Sequence, residues 1–432
     1  MQRIQNFCLR FTVFACLTLL SLTVSLKATA QCVVPNTANT CYGNDVLFSN
    51  TTGTHNTGFG EEVLYSNTTG TGNTASGVAA LGSNTTGDSN TAYGQQALSS
   101  NTTGYANSAS GYLALHSNTT GFYNTASGGW ALSNNTTGYG NTASGYEALG
   151  SNSTGLSNTA SGLGSLADNL TGSVNTATGH VSLFSNTTGD YNTASGGLAL
   201  FNNATGDQNT AGGFRALYYN TAGNRNTAQG SHALYHATGN RNVALGYNAG
   251  YAITTGENNI MIGAAQTGSA SDSGVIRIGT KNYQKRAFIG GIRGVTTGRA
   301  DAVPVVIDSN GQLGTISSSR RVKENIQPMG SVSERLLALR PVTFRYKTNY
   351  EDGSRPTEFG LIAEEVAEVF PELVVYGEDG KPETVSYHVL STLLLNEVQK
   401  ERTVVRDQAA TISALQSQVD ELNARLSRLE GG

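Results

Sequence analysis

Between residues 50 and 263 the apolar and polar positions repeat every 17 residues, as S-N-T-T-G-x-x-N-T-A-S-G-x-x-A-L-x. The second Asn of the unit stands at 56, 73, 90, 107, 124, 141, 158, 175, 192, 209 and 226, slips by one residue to Asn242 and resumes at Asn259, which makes 13 units. In N-T-A-S-G the Ala alternates with Thr and Ser, the period of a strand with one buried face, and A-L marks a second apolar side. Two glycines per unit, such as Gly70 and Gly77, would break any helix. The pattern predicts a mainly β chain built as a β-solenoid, each unit one coil of two short strands and two glycine turns. A single coil buries almost nothing, so stability must come from stacking on neighbours. A column of Asn at one position predicts a hydrogen-bonded ladder along the axis. Small inward Ala leaves a thin core, so a further apolar surface, such as sister chains around a symmetry axis, is expected.

The text changes twice after the repeats. Residues 275–279, 287–290 and 303–307 are β-branched and read as short strands, with Asn310-Gly311 at the centre of a hairpin turn. From residue 318 charges are dense. A helix is predicted over 333–339, a strand over 340–346, a second helix from about 361 to the break at Pro371, and a long helix after Tyr387. That helix carries heptads, with Val398, Val405, Ile412, Val419 and Leu426 at a and Leu394, Glu401, Gln408, Leu415, Leu422 and Leu429 at d. The organisation expected is a signal peptide at 1–30, a segment with a Cys pair at 31–48, repeats at 49–268, a β neck at 269–317, an α+β core at 318–390 and a coiled coil at 391–432.

Composition narrows the function. Residues 51–250 hold no Lys and only Arg215, Arg225 and Arg241 as basic groups, so there is no basic stripe for nucleic acid. Net charge is −4, which argues against charge-driven disorder. Arg3 and Arg10, an apolar run over 11–26 and Ala28-Thr29-Ala30 form a secretory signal, with the mature chain expected from Gln31 and no transmembrane segment after removal. The alternative is an uncleaved anchor, for which the run is short. In an exported chain Cys32 and Cys41 are expected to form a small disulfide loop or to pair between subunits. No metal or cofactor is expected, because the His residues are scattered and form no ligand set. The recurring N-T-T reads as turn chemistry, with glycosylation of the sequon as the alternative. Tyr105, Tyr123, Tyr139 and Tyr191 are candidate sugar contacts or plain surface aromatics.

Two resemblances follow from particular residues. Asn242-Val243-Ala244-Leu245-Gly246 and Asn259-Ile260-Met261-Ile262-Gly263 resemble the signature of trimeric autotransporter adhesin heads, and the N-T-A-S-G units look like diluted copies. That likeness implies a trimer of left-handed β-rolls. Farther on, four ordered blocks (318–326, 360–366, 370–374 and 385–387) resemble the intramolecular chaperone domain of phage endosialidases and tail fibres. The resemblance implies a trimeric domain that assembles the preceding β-fibre and cuts itself off with a Ser-Lys dyad, carried over to Ser318 and Lys323. Two positions depart from the pattern: Ser319 where Asp is usual, and Glu364 where Gln is usual.

The chemistry can be stated without the name. A serine needs a base, and a lysine serves as one when desolvation favours its neutral form. Ser318 would attack the carbonyl of Ser317 and the chain would part between them. A spacing of five residues puts the two side chains about 140° apart on an α-helix, so they must meet in a loop, at a helix start or across subunits. The expectation is an exported homotrimeric fibre, secreted or on the cell surface, with a self-removing assembly chaperone and a glycan or protein receptor as its external partner. The alternatives are an uncleaved structural or adhesive fibre and a prophage-type receptor-binding fibre.

Overall fold

The computed structural model describes residues 38–281 and 283–430; the signal segment and Cys32 lie outside them. The chain forms two compact units, Met1–Ile289 and Gly290–Gly432. In the first, fifteen strands of three residues build one parallel sheet in strict chain order, from β1 (Thr40–Tyr42) to β15 (Ile276–Ile278). Each pairs with the next one repeat later, as in Thr125↔Thr142 and Ala126↔Ala143. Fifteen strands make fourteen steps, a β-solenoid about 67 Å long at a normal strand spacing. The sheet continues one coil beyond the 13 repeats at each end.

Each coil holds one strand, not the two the sequence pattern suggests. After Gly77 the backbone takes positive φ at Ala79 (55°) and Leu81 (52°), and the same alternation recurs in later coils. Alternating hands curl the A-L side into successive turns, closed by Ala80 N–H to Gly77 O (3.3 Å) and Gly82 N–H to Ala79 O (3.2 Å). This side still stacks, since Leu81 N–H reaches Ala97 O of the next coil at 3.0 Å.

The core has three layers of identical residues. Strand Ala residues such as Ala126, Ala143 and Ala160 point inward and are fully buried, facing a column of buried Leu that runs from Leu47 to Leu234. Between them stand two Asn ladders, where the sequence suggested one. In the expected ladder, Asn141 Nδ2 donates to Asn124 Oδ1 (3.2 Å) and to Gly155 O (2.9 Å). Its own Oδ1 accepts the backbone N–H of Asn158 (2.9 Å). In the second, Asn152 Nδ2 donates to Asn135 Oδ1 (2.8 Å) and to the same Gly155 O (3.1 Å). The second ladder uses the N-T-T asparagines, so those sequon amides are buried and bonded rather than offered for glycosylation. Close stacking also fixes the glycines: a Cβ on Gly145 (φ +132°) would lie 2.5 Å from Gly162 O.

In the second unit, β16 (Val306–Ile307) and β17 (Leu313–Gly314) form the hairpin expected around Asn310-Gly311. A 3-10 segment, Gly330–Ala338, occupies the first helical stretch. Then come β18 (Val342–Phe344) paired with β19 (Glu358–Gly360), α1 (Ala363–Val369), β20 (Val374–Tyr376) paired with β21 (Pro382–Val385), and the long α2 (Tyr387–Glu430). Val366, Phe370, Leu373, Val385 and Leu393 make its small core. Among the described residues from 273 to 332, none is buried, although the stretch includes Phe288, Ile292 and Ile307. On α2 the heptad residues Val398, Ile412, Leu415 and Leu422 are each half-exposed or more.

Candidate functional site

Three of the four sequence blocks in the second unit supply four of the five buried residues of its core. Phe370 and Leu373 of F-P-E-L-V are buried, and the Arg335 guanidinium lies 3.9 Å from the centre of the Phe370 ring. Arg335 also makes a two-pronged pair with Glu372, at 3.0 Å for each contact. That pairing holds the Glu372 carboxyl below the usual range. The third pairing joins blocks distant in sequence. The Leu361 backbone N–H donates to Tyr387 Oη at 2.9 Å, and a Cβ on Gly360 would lie 2.8 Å from that same oxygen. Glycine at 360 and tyrosine at 387 are therefore one requirement.

The first block behaves differently. Ser317, Ser318 and Lys323 are all exposed. A single 3-10 turn, Arg320–Val322, separates the expected nucleophile from the expected base, and Lys323 closes it by donating its N–H to Arg320 O. Ser318 and Lys323 thus flank one short turn. The local hydrogen bonds run through the residue between them. Ser319 is the N-cap: its Oγ accepts from Arg321 N–H (3.3 Å) and Arg321 Nε (3.2 Å), and its own N–H reaches Ser317 Oγ (3.3 Å). Ser and Asp are both strong N-cap residues. Ser319 in place of the usual Asp keeps this cap. Asn325 sits at φ +52°, a left-handed position that Asn tolerates better than most residues.

A polar cluster that the sequence does not announce ties the 3-10 segment to α2. Ser333 is fully buried. Its Oγ donates to Glu397 and accepts from Asn396 Nδ2, with Lys400 Nζ at 3.4 Å. This is a Ser-Lys contact, but its lysine is no base. Glu397 above all, then Glu334, hold Lys400 protonated by raising its pKa through ion pairs at 3.0 and 3.1 Å. Ser333 and Lys400 therefore act as a clamp. Glu397 and Lys400, three apart on a helix, are visible in sequence as a surface pair; nothing local points to Ser333, over 60 residues away.

Cys41 is disulfide-bonded. Among the described residues there is no group of three side chains able to hold a metal ion, and no helix is long and apolar enough to cross a membrane. No curated protein and no solved structure matches the chain. Residues 318–375 match the family described as chaperone of endosialidase, and the match begins at Ser318 itself.

Proposed function

We propose that the chain is an exported homotrimeric fibre whose residues 318–432 direct assembly and are then released by a cut between Ser317 and Ser318. The observation that carries this is the contrast within the second unit. The family match starts at Ser318, and the first block is exposed while the other three blocks pack into a core. The expected Cys32–Cys41 loop belongs to the same reading, since an exported chain meets an oxidising compartment.

The reaction balances without a cofactor. Lys323, as the neutral amine, takes the Ser318 Oγ proton while Oγ bonds to the Ser317 carbonyl carbon. The C–N bond then breaks and the Ser318 nitrogen leaves with that proton. Water hydrolyses the resulting ester, giving a carboxylate at Ser317 and restoring the Ser318 hydroxyl. Exposed lysine is fully hydrated, whereas a lysine base needs desolvation. Neighbouring copies would supply it by covering residues 317–326, so cutting would follow assembly. The half-exposed heptad face of α2 is the surface that brings three chains into register. With the template gone, unfolding of the fibre becomes effectively irreversible. The fibre would serve as a spacer or adhesin outside the cell.

Intact masses of the full chain and of its Ser318→Ala and Lys323→Ala variants test this. The expected result is a break after Ser317 in the parent chain alone, at a rate that rises with chain concentration. An uncut parent chain that still forms trimers would refute the self-cleaving step and leave a fibre capped by its chaperone.

A further inference from the structure

The four tyrosines singled out in the repeats do not stand in equivalent surroundings. Tyr105 and Tyr139 stack on either face of Phe122, at 5.0 and 4.7 Å between ring centres, and Tyr123 packs edge-on against Phe122. Each of the three packs on another ring, although Tyr123 stays 60% exposed. Tyr191 is 59% exposed and makes no ring contact among the described residues. Its column continues, one residue per coil, with Gln208, Arg225 and Arg241, all at φ between 56° and 58°. The register is fixed because each backbone N–H bonds to the coil before it, as Gln208 to Asp190 O (3.0 Å), Arg225 to Asp207 O (3.0 Å) and Arg241 to Asn224 O (2.9 Å). Tyr191 and Arg241 are three coils apart, about 14 Å.

Beside this column runs a second one, of Asp190, Asp207, Asn224, Asn240 and Glu257; its last four residues, with Gln208, Arg225 and Arg241 of the first, border an open groove of about 460 Å³, and Tyr191 stands one coil before its edge. Its acidic and amide oxygens are partly engaged: Asp207 Oδ1 accepts Asp190 N–H (2.8 Å) and Glu257 Oε1 accepts Asn240 Nδ2 (2.6 Å). The guanidinium groups are engaged less. Arg225 gives only its Nε, to Gln208 (2.9 Å), and among the described residues neither Arg225 nor Arg241 forms an ion pair. Two adjacent cations with free N–H donors call for an anionic ligand, and a guanidinium fork suits a carboxylate. Asp207 and Glu257 can accept hydrogen bonds from hydroxyl groups, which a sugar chain offers along its length and a phosphodiester backbone does not. An unstacked aromatic ring at one end offers an apolar face.

We infer that this groove binds a linear acidic polysaccharide, with Arg225 and Arg241 on its carboxylates, Asn224, Asn240 and the two acids on its hydroxyls, and Tyr191 against a sugar ring. The inference rests on the surface-fibre reading only for its setting; the mass assay above tests that reading separately.

The probes are hexamers of galacturonate, mannuronate and hyaluronan, with neutral cellohexaose and a single-stranded DNA 12-mer for comparison, titrated calorimetrically into the full chain. At least one acidic hexamer should bind, and should weaken as salt rises. Cellohexaose and DNA should bind about tenfold more weakly or less. The double variant Arg225→Gln, Arg241→Gln should lose about tenfold or more, Tyr191→Ala a few-fold, and Arg225→Lys with Arg241→Lys should fall between. Thermal melts matching the parent would show the variants folded; these side chains are on the surface and leave the core columns intact. Failure of all three acidic hexamers to bind, equal binding of cellohexaose or DNA, or undiminished binding by the folded double Gln variant would overturn the inference.

Discussion

Replacing Asn141 by alanine should destabilise the solenoid by about 3–5 kcal/mol. Three hydrogen bonds depend on that amide: to Asn124 Oδ1, to Gly155 O and from Asn158 N–H. Two of them are simple losses of about 1 kcal/mol each. Gly155 O keeps Asn152 as a donor, and Asn124 Oδ1 keeps the Asn141 backbone N–H at 3.0 Å. The third loss differs in kind. Asn158 N–H has no other acceptor and Asn158 is fully buried, which adds about 1–3 kcal/mol for an unmet donor. Asn134 provides the internal comparison, since its amide makes one half-buried bond, to Gly150 O at 2.9 Å, and Asn134→Ala should cost about 1 kcal/mol or less. Asn141→Asp separates hydrogen bonding from volume. Asp fills the same space but sets a second acceptor against Gly155 O and Asn124 Oδ1. Burial raises such a carboxyl, so the damage should be small in acid and grow as pH rises above about 4. Guanidinium unfolding of the full chain, followed by far-UV circular dichroism, measures all three. An Asn141→Ala cost below about 1 kcal/mol, or equal costs at positions 141 and 134, would refute the ladder as a main source of stability.

Three shorter predictions come from other positions. Asn220 Oδ1 is buried with no partner, because Ala237 stands where the next ladder residue would donate; Ala237→Asn should raise stability by about 1 kcal/mol, read as a higher melting temperature. Gly145→Ala should cost about 3 kcal/mol or more, since its Cβ would meet Gly162 O at 2.5 Å; a soluble chain melting like the parent would contradict the spacing of the coils. The Arg277 guanidinium, with help from Ser269 N–H, holds the Asp272 carboxyl below its usual range. A depressed carboxyl stabilises the fold above the unfolded-state pKa, and that contribution is lost as pH falls through the folded one. The stability gap between the parent and Asp272→Asn should therefore close below about pH 4.

What the sequence made legible was period, not backbone hand. Seventeen-residue spacing gives the parallel sheet, its register and the inward Ala directly, because side-chain alternation needs only the order of residues. The A-L side reads as a strand in the sequence because Ala and Leu look equally apolar in an extended or a curled chain. Leu81 at φ +52° is a conformation that residue rarely takes alone, and stacking of identical coils imposes it. The N-T-T asparagines read as turn residues for a related reason: Asn is common in turns, and only the fold shows that these amides are buried. In the second unit the blocks were visible by resemblance, but their work was not. Tyr387 and Gly360 meet through one hydroxyl, and Ser333 meets Lys400 across 67 positions, which no local pattern encodes.

The distribution of satisfied groups explains why a template would follow the fibre in this chain. Each solenoid coil completes its hydrogen bonds and core with the coils 17 residues before and after it, so the repeat can grow by addition of nearest neighbours. Past β15, the described residues from 287 to 332 join no such stack. Their apolar residues are too many for a solvated linker, yet none of those described is buried in one chain. Pairing such segments between chains is non-local and slow, since three separate chains must be aligned before any contact is gained. A helix with a repeating apolar seam is cheap to align by comparison, because its contacts recur every heptad and a wrong register exposes charged residues. Placing that seam on α2, beyond the segment that most needs alignment, lets fast helix association set the register for slow β association. The proposed cut at Ser318 would be useful only after the second step, which is why its chemistry should depend on surfaces the single chain leaves bare.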